Sequence, residues 1–89
     1  MAEGKQRRRP VNAQRLRRRF GANVRVQRQA QGLSQQVLAR RIAITQSSLS
    51  AIENGECFVT ARTLAGLATV LGCAPGDLFE ATPTRKAAA

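Results

Sequence analysis

Apolar residues recur along this chain at helical intervals, and nowhere do they alternate as in a strand. Leu16, Phe20 and Val24 are spaced by four and mark one face of a first helix, with Asn12 as its candidate N-cap. Gly21 weakens the middle of that helix and moves its expected start toward residue 17, and Gly32 closes it. Ser34 is placed to cap a second helix, Gln35 to about Ile42, with Leu38, Ala39 and Ile42 turned inward. Thr45 is placed to cap a third, Gln46 to Asn54, whose inward residues are Leu49 and Ile52 and which Gly55 ends. Thr60 precedes a fourth, where Leu64, Leu67, Ala68 and Leu71 form a stripe that runs to Gly72. Pro75 opens a short fifth helix, with Leu78 and Phe79 folding back on the core. The expected fold is an all-α bundle of five short helices.

Eighty-nine residues suffice for one domain and a compact core. That core is aliphatic, since the chain has three Phe and neither Trp nor Tyr. Lys and Arg total 15 against 5 acids, a net charge of +10, which points to a polyanionic partner. The charge is uneven. Residues 1–19 carry eight cations against Glu3, whereas residues 20–80 are close to neutral. The division expected is a disordered basic arm at 1–15, a globule at 16–80 and a disordered tail at 81–89.

With no His and two cysteines, Cys57 and Cys73, sixteen residues apart, a zinc site is excluded and no cofactor is implied. The cysteines are expected to be reduced. The basic start lacks the apolar region of a signal peptide, and no run is long enough to span a membrane, so a cytoplasmic, nucleoid-associated protein is expected. Catalysis has little to work with, because no nucleophile–base pair is present.

The informative stretch is GLSQQVLARRIAITQSSLSAIENG, residues 32–55. Only Ala43, Ile44 and the cap Thr45 separate its two helices, so they cross steeply and the second projects from the body. Its outward residues, Gln46, Ser47, Ser50, Ala51 and Asn54, are uncharged and mostly short. Such a surface can approach base edges, and the Gln46 amide can donate and accept in one plane, as the major-groove edge of adenine requires.

From Phe20 to Phe79 the chain resembles the phage repressor and Cro family, the XRE-type helix-turn-helix proteins. The likeness rests on Phe20-Gly21, Arg25 and Arg28, Gly-Leu-Ser-Gln at 32–35, and Leu38-Ala39. It continues through Leu49, Ile52-Glu53-Asn54-Gly55 and the Leu-x-x-Leu-Ala-x-x-Leu-Gly of 64–72. By position, the resemblance implies base contacts from Gln46, Ser47 and Ala51, with Ser50 beside them. It also implies phosphate binding by Gln35 at the start of the second helix, with Thr45, Asn54 and Arg62 as further phosphate candidates, and an Arg28–Glu53 pair beneath the DNA-facing surface.

Each of these has a plainer reading: Gln46 and Ser47 as solvated helix residues, Arg28 and Glu53 as separate surface charges, the arm as a solubilising tail. Given the motif, base contact and a structural pair are preferred. For the arm, with Arg7, Arg8, Arg9, Arg17 and Arg18, contact with DNA and mere solubilisation stand level.

Three departures from the family pattern stand out. Ala43 replaces a usual turn Gly, at a cost of about 1 kcal/mol if φ is positive there. Gln27 replaces an apolar residue, suggesting a less buried patch. Glu56, Cys57, Phe58 and Val59 follow the third helix where many members are basic or polar, weakening phosphate contact. Phe58, Cys73, Leu78 and Phe79 are the candidate dimer surface. The reading is a homodimeric regulator binding double-stranded DNA at a pseudo-palindromic operator. It acts by occupancy, blocking RNA polymerase or touching it from upstream. The alternative is a protein-binding module on the same fold, an antitoxin or anti-activator.

Overall fold

The computed structural model describes residues 12–80. The order is α1 (Ala13–Ala30), α2 (Gln35–Arg41), α3 (Gln46–Glu53), α4 (Ala61–Leu71) and a 3₁₀ turn, Pro75–Phe79. The bundle therefore has four α-helices, not five. The last element is too short for an α-helix; its Asp77 N–H donates to the Ala74 carbonyl (2.9 Å), and the Asp77 carboxylate accepts from the Ala74 N–H (3.1 Å). There is no strand among the described residues.

Each helix begins where a side chain satisfies one of the unpaired N–H groups of its first turn. The acceptors are Asn12 for the Arg15 N–H (3.1 Å), Ser34 for Val37 (3.1 Å), Thr45 for Ser48 (3.0 Å) and Thr60 for Thr63 (3.1 Å). Because of the Asn12 cap, α1 starts at Ala13 and not near residue 17, so Arg17 and Arg18 belong to a helix and not to an arm. Arg7, Arg8 and Arg9 lie outside the described residues.

The helices also end alike, with a residue in left-handed conformation followed by an N–H that reaches five residues back. The bonds are Leu33 to Arg28 (3.1 Å), Ile44 to Ala39 (3.0 Å), Glu56 to Ala51 (2.9 Å) and Cys73 to Ala68 (3.0 Å). The left-handed residue is Gly at three of the four ends. At α2 it is Ala43, with φ of 59°, so the strain expected from the sequence is present, about 1 kcal/mol.

Phe20, Val24, Leu38, Leu49, Ile52, Leu67, Leu71 and Leu78 form the core. Leu78 is fully buried, which removes it from the candidate dimer surface. Its place is set by Asn23, a buried polar residue that the apolar pattern did not single out. The Asn23 amide donates to the carbonyls of Leu78 (2.9 Å) and Glu80 (3.0 Å), tying the 3₁₀ turn to α1. Gln27, expected to be less covered, is 8% exposed. It sits beside Ala68 and Leu71 at the wall of a groove between α1 and the end of α4.

Gly21 is explained by packing. A methyl group there would collide with the carbonyl oxygens of Ile52 and Glu53, so α1 and α3 cross at backbone contact. Gly21→Ala is therefore expected to cost about 3 kcal/mol in urea unfolding, because the atoms in the way are backbone and cannot swing aside. Gly76, with nothing near its missing side chain, should accept Ala within about 0.5 kcal/mol.

Candidate nucleic-acid interface

Helix α3 is fixed at its inner end by Glu53, whose side chain is fully buried. Arg28 donates to both carboxylate oxygens, Nε to Oε2 at 2.7 Å and Nη2 to Oε1 at 3.0 Å, and its Nη1 holds the Leu33 carbonyl at 2.8 Å. Gln35 donates to Oε1 at 2.9 Å. Arg25 stands 3.6 Å from the same oxygen and donates through Nη2 to Asn54 Oδ1 at 3.1 Å. Burial opposes the charge on Glu53. The hydrogen bonds from Arg28 and Gln35 and the charges of Arg28 and Arg25 outweigh it, and the carboxyl lies below its ordinary pKa. The bond from Glu53 in turn raises the Arg28 pKa.

The pair expected from the sequence is thus present, and it is a four-residue cluster. Arg25 was not assigned a role from the sequence, although its spacing of three from Arg28 puts it on the same helix face. The Gln35 side chain is held by Glu53, so what Gln35 can offer a phosphate is its backbone N–H on the first turn of α2. Asn54 has its oxygen committed to Arg25. The Thr45 hydroxyl is committed to its cap, accepting from the Ser48 N–H and donating to Ser48 Oγ at 2.9 Å.

The outward side of α3 is different. Gln46 and Ser47 are exposed, and Ser50 and Ala51 are half-buried. With Gln35 and Glu56 they line a shallow depression of about 350 Å³. None of the polar side chains on this side of α3 (Gln46, Ser47, Ser50) is hydrogen-bonded among the described residues. Arg62 is exposed on the first turn of α4 and does not line the depression.

Arg17 and Arg18 support α3 from behind: Arg17 Nε donates to the Gly55 carbonyl at 3.3 Å, and Arg18 packs on Gly55. The candidate dimer residues do not form one patch. Phe58, 46% exposed, meets Phe20 and Phe79 with ring centroids 5.5 and 5.9 Å away, both edge-on. Cys73 is half-buried and lines the groove beside Gln27 and Ala68.

Two short capped helices, α2 and α3, joined by a tight turn have the geometry of a helix-turn-helix. A family model described as a helix-turn-helix domain matches residues 19–81. The chain belongs to this family, in its phage repressor and Cro branch of DNA-binding regulators. It is similar to the restriction-modification controller protein C.AhdI from Aeromonas hydrophila, at 35% identity over 70% of this chain and 94% of that one, with a TM-score of 0.66. The clp gene regulator ClgR from C. glutamicum is 28% identical over 79% and 86% of the two chains, with a TM-score of 0.66. The P22 c2 repressor, solved with a synthetic operator, shares the fold: 22% identity, 71% and 96% coverage, TM-score 0.67. Among curated protein sequences there is no match. No helix among the described residues is long and apolar enough to cross a membrane, and none of their His, Cys, Asp and Glu side chains form a group able to hold a metal.

The Glu53 cluster sets a test of stability. Arg28→Met leaves the buried Glu53 with only the Gln35 hydrogen bond and the more distant Arg25, and Glu53→Leu leaves the buried Arg28 charge without its carboxylate. Each is expected to cost about 3–5 kcal/mol, and the double variant well below the sum. Because the folded-state pKa of Glu53 is depressed, its contribution is complete above the ordinary glutamate range and is lost as pH falls through the lowered value. Coupling in the double-mutant cycle should therefore be large at neutral pH and shrink in acid. Unfolding curves showing no coupling at neutral pH would refute the pair.

Proposed function

We propose that the protein is a sequence-specific transcriptional regulator that binds a pseudo-palindromic operator as a homodimer, with α3 in the major groove. The observation that carries this reading is the outward side of α3. Gln46, Ser47, Ser50 and Ala51 sit together on a rigidly mounted helix, and the polar side chains among them have no hydrogen-bond partner among the described residues. Short uncharged side chains let the helix approach, and the Gln46 amide matches the N7 and N6 of adenine. The backbone N–H of Gln35, Asn54 Nδ2 and Arg62 are the phosphate contacts that orient the helix. Resemblance to a restriction-modification controller supports a regulatory role, and occupancy of a promoter is the means, by excluding RNA polymerase or by touching it.

Dimerisation follows from information and geometry. One helix of this size reads only a few base pairs, and a dyad doubles the readout with half-sites about one DNA turn apart. Phe58 and Phe79 are the contact, since their rings are the aromatic surface the fold leaves partly open. Double-stranded DNA and a second copy of the chain are the partners.

Two outcomes test this. Gln46→Ala should lose about 1–3 kcal/mol of preference for adenine in each half-site and leave binding to unrelated duplexes near normal. An operator titration with equal loss on every sequence would remove Gln46 from base reading. Phe58→Asp should leave a folded chain that sediments as a monomer at micromolar concentration and binds a full operator without cooperativity. A wild-type chain that is itself monomeric and binds one copy at a time would end the dimer reading.

A further inference from the structure

The four matching helix ends contain one anomaly. The residue that donates its N–H five residues back is Leu33 after α1, Ile44 after α2 and Cys73 after α4, and all three pack on the core. An apolar residue is what this kind of helix end favours, because its side chain folds over the last turn. After α3 the residue is Glu56, and it is exposed. Its N–H is pinned to the Ala51 carbonyl at 2.9 Å, which sets Glu56 beside one of the candidate base-contact residues. The same depression is lined by Gln46, Ser47, Ser50, Ala51 and Glu56.

A carboxylate gains nothing there in the free protein. The C-terminal end of a helix carries partial negative charge, and no cation pairs with Glu56 among the described residues. Near DNA it is repelled by the phosphates unless it meets a hydrogen-bond donor. Ionised, it only accepts. In the major groove the donors are the exocyclic amines of cytosine and adenine, whereas guanine presents acceptors and thymine an acceptor and a methyl group. In adenine the amine sits next to the N7 acceptor, which opposes the second carboxylate oxygen. Cytosine offers its amine without that conflict.

We propose that Glu56 is a specificity-determining residue that selects cytosine at one position in each half-site and rejects guanine and thymine there. This rests on α3 lying in the major groove, and the experiment separates the two. The full chain and its Glu56→Ala, Glu56→Gln and Gln46→Ala variants are each used to enrich a pool of random 30-base-pair duplexes, with folding checked by circular dichroism. Wild type should enrich a dyad motif with a cytosine in each half. Glu56→Ala should relax that position alone, by about tenfold or more, and bind unrelated duplexes more tightly. Glu56→Gln, which can also donate, should move the position toward adenine. Gln46→Ala should relax a different position. Enrichment of the unchanged motif by Glu56→Ala would overturn the proposal and leave the groove reading intact. So would an unchanged motif with a weakened dimer in sedimentation, which would assign the carboxylate to a protein contact. Failure of wild type to enrich any motif would overturn the groove reading itself, and this proposal with it.

Discussion

A carboxylate with no access to water is stable as an anion only if fixed donors and positive charges surround it, and in this protein they come from three directions. Arg28 reaches Glu53 from α1, Gln35 from the start of α2, and Arg25 from one turn earlier on α1. The same guanidinium holds the carbonyl of Leu33, so the link between α1 and α2 is tied in as well. Helices of seven or eight residues do not persist alone in water, and α2 and α3 exist because they are docked. Apolar packing of Leu49 and Ile52 keeps α3 against the body but tolerates some rotation about its axis. Hydrogen bonds at 2.7–3.0 Å to a carboxylate at its inner end do not. The direction in which Gln46 and Ser47 point is thus an electrostatic consequence of residues on the far side of the helix.

Much of this was legible in the sequence because it is local. Ser, Thr and Asn before an apolar period, and Gly after it, mark helix ends through interactions spanning three to five residues. Ser34, Thr45 and Thr60 cap where that chemistry put them, and Asn12 does so against the later start that Gly21 suggested. The Arg28–Glu53 pair was legible only through the family likeness, since nothing in the spacing joins positions 25 residues apart. What escaped is non-local. Gly21 read as a weak point in α1, yet it is the place where another helix's carbonyls touch the backbone. Asn23 carries no sequence signal of its own, yet its amide anchors the end of the fold. The fifth helix became a 3₁₀ turn because capping and a proline specify a start but not a hydrogen-bond ladder. The candidate dimer residues divided between core, groove and surface, because composition cannot say which apolar side chains a small core has room for.

Phe20, Phe58 and Phe79 are all the aromatic residues of the chain, and they stand together. Phe20 is wholly enclosed and Phe58 nearly half open, so the cluster runs from the centre of the domain to its surface. The chain between Gly55 and Thr60 is held to the body by this ring together with Val59, which also packs on the core, and by the bond from the Glu56 N–H to the Ala51 carbonyl. A contact made by Phe58 with another molecule is therefore also a contact with the core of its own.

The polar face of α3 takes no part in holding the molecule up. The side chains of Gln46, Ser47 and Ser50 bond to no group among the described residues, while those of the neighbouring Thr45, Ser48, Leu49, Ile52 and Glu53 cap, pack and anchor that helix. Stability is thus written on positions separate from those that carry sequence preference in the proposed function, the two sets interleaved between residues 45 and 53. If those positions meet DNA as proposed, they can be exchanged for others of similar size without loss of the fold. New DNA addresses are then reachable by single steps, and the scaffold beneath them has no reason to change.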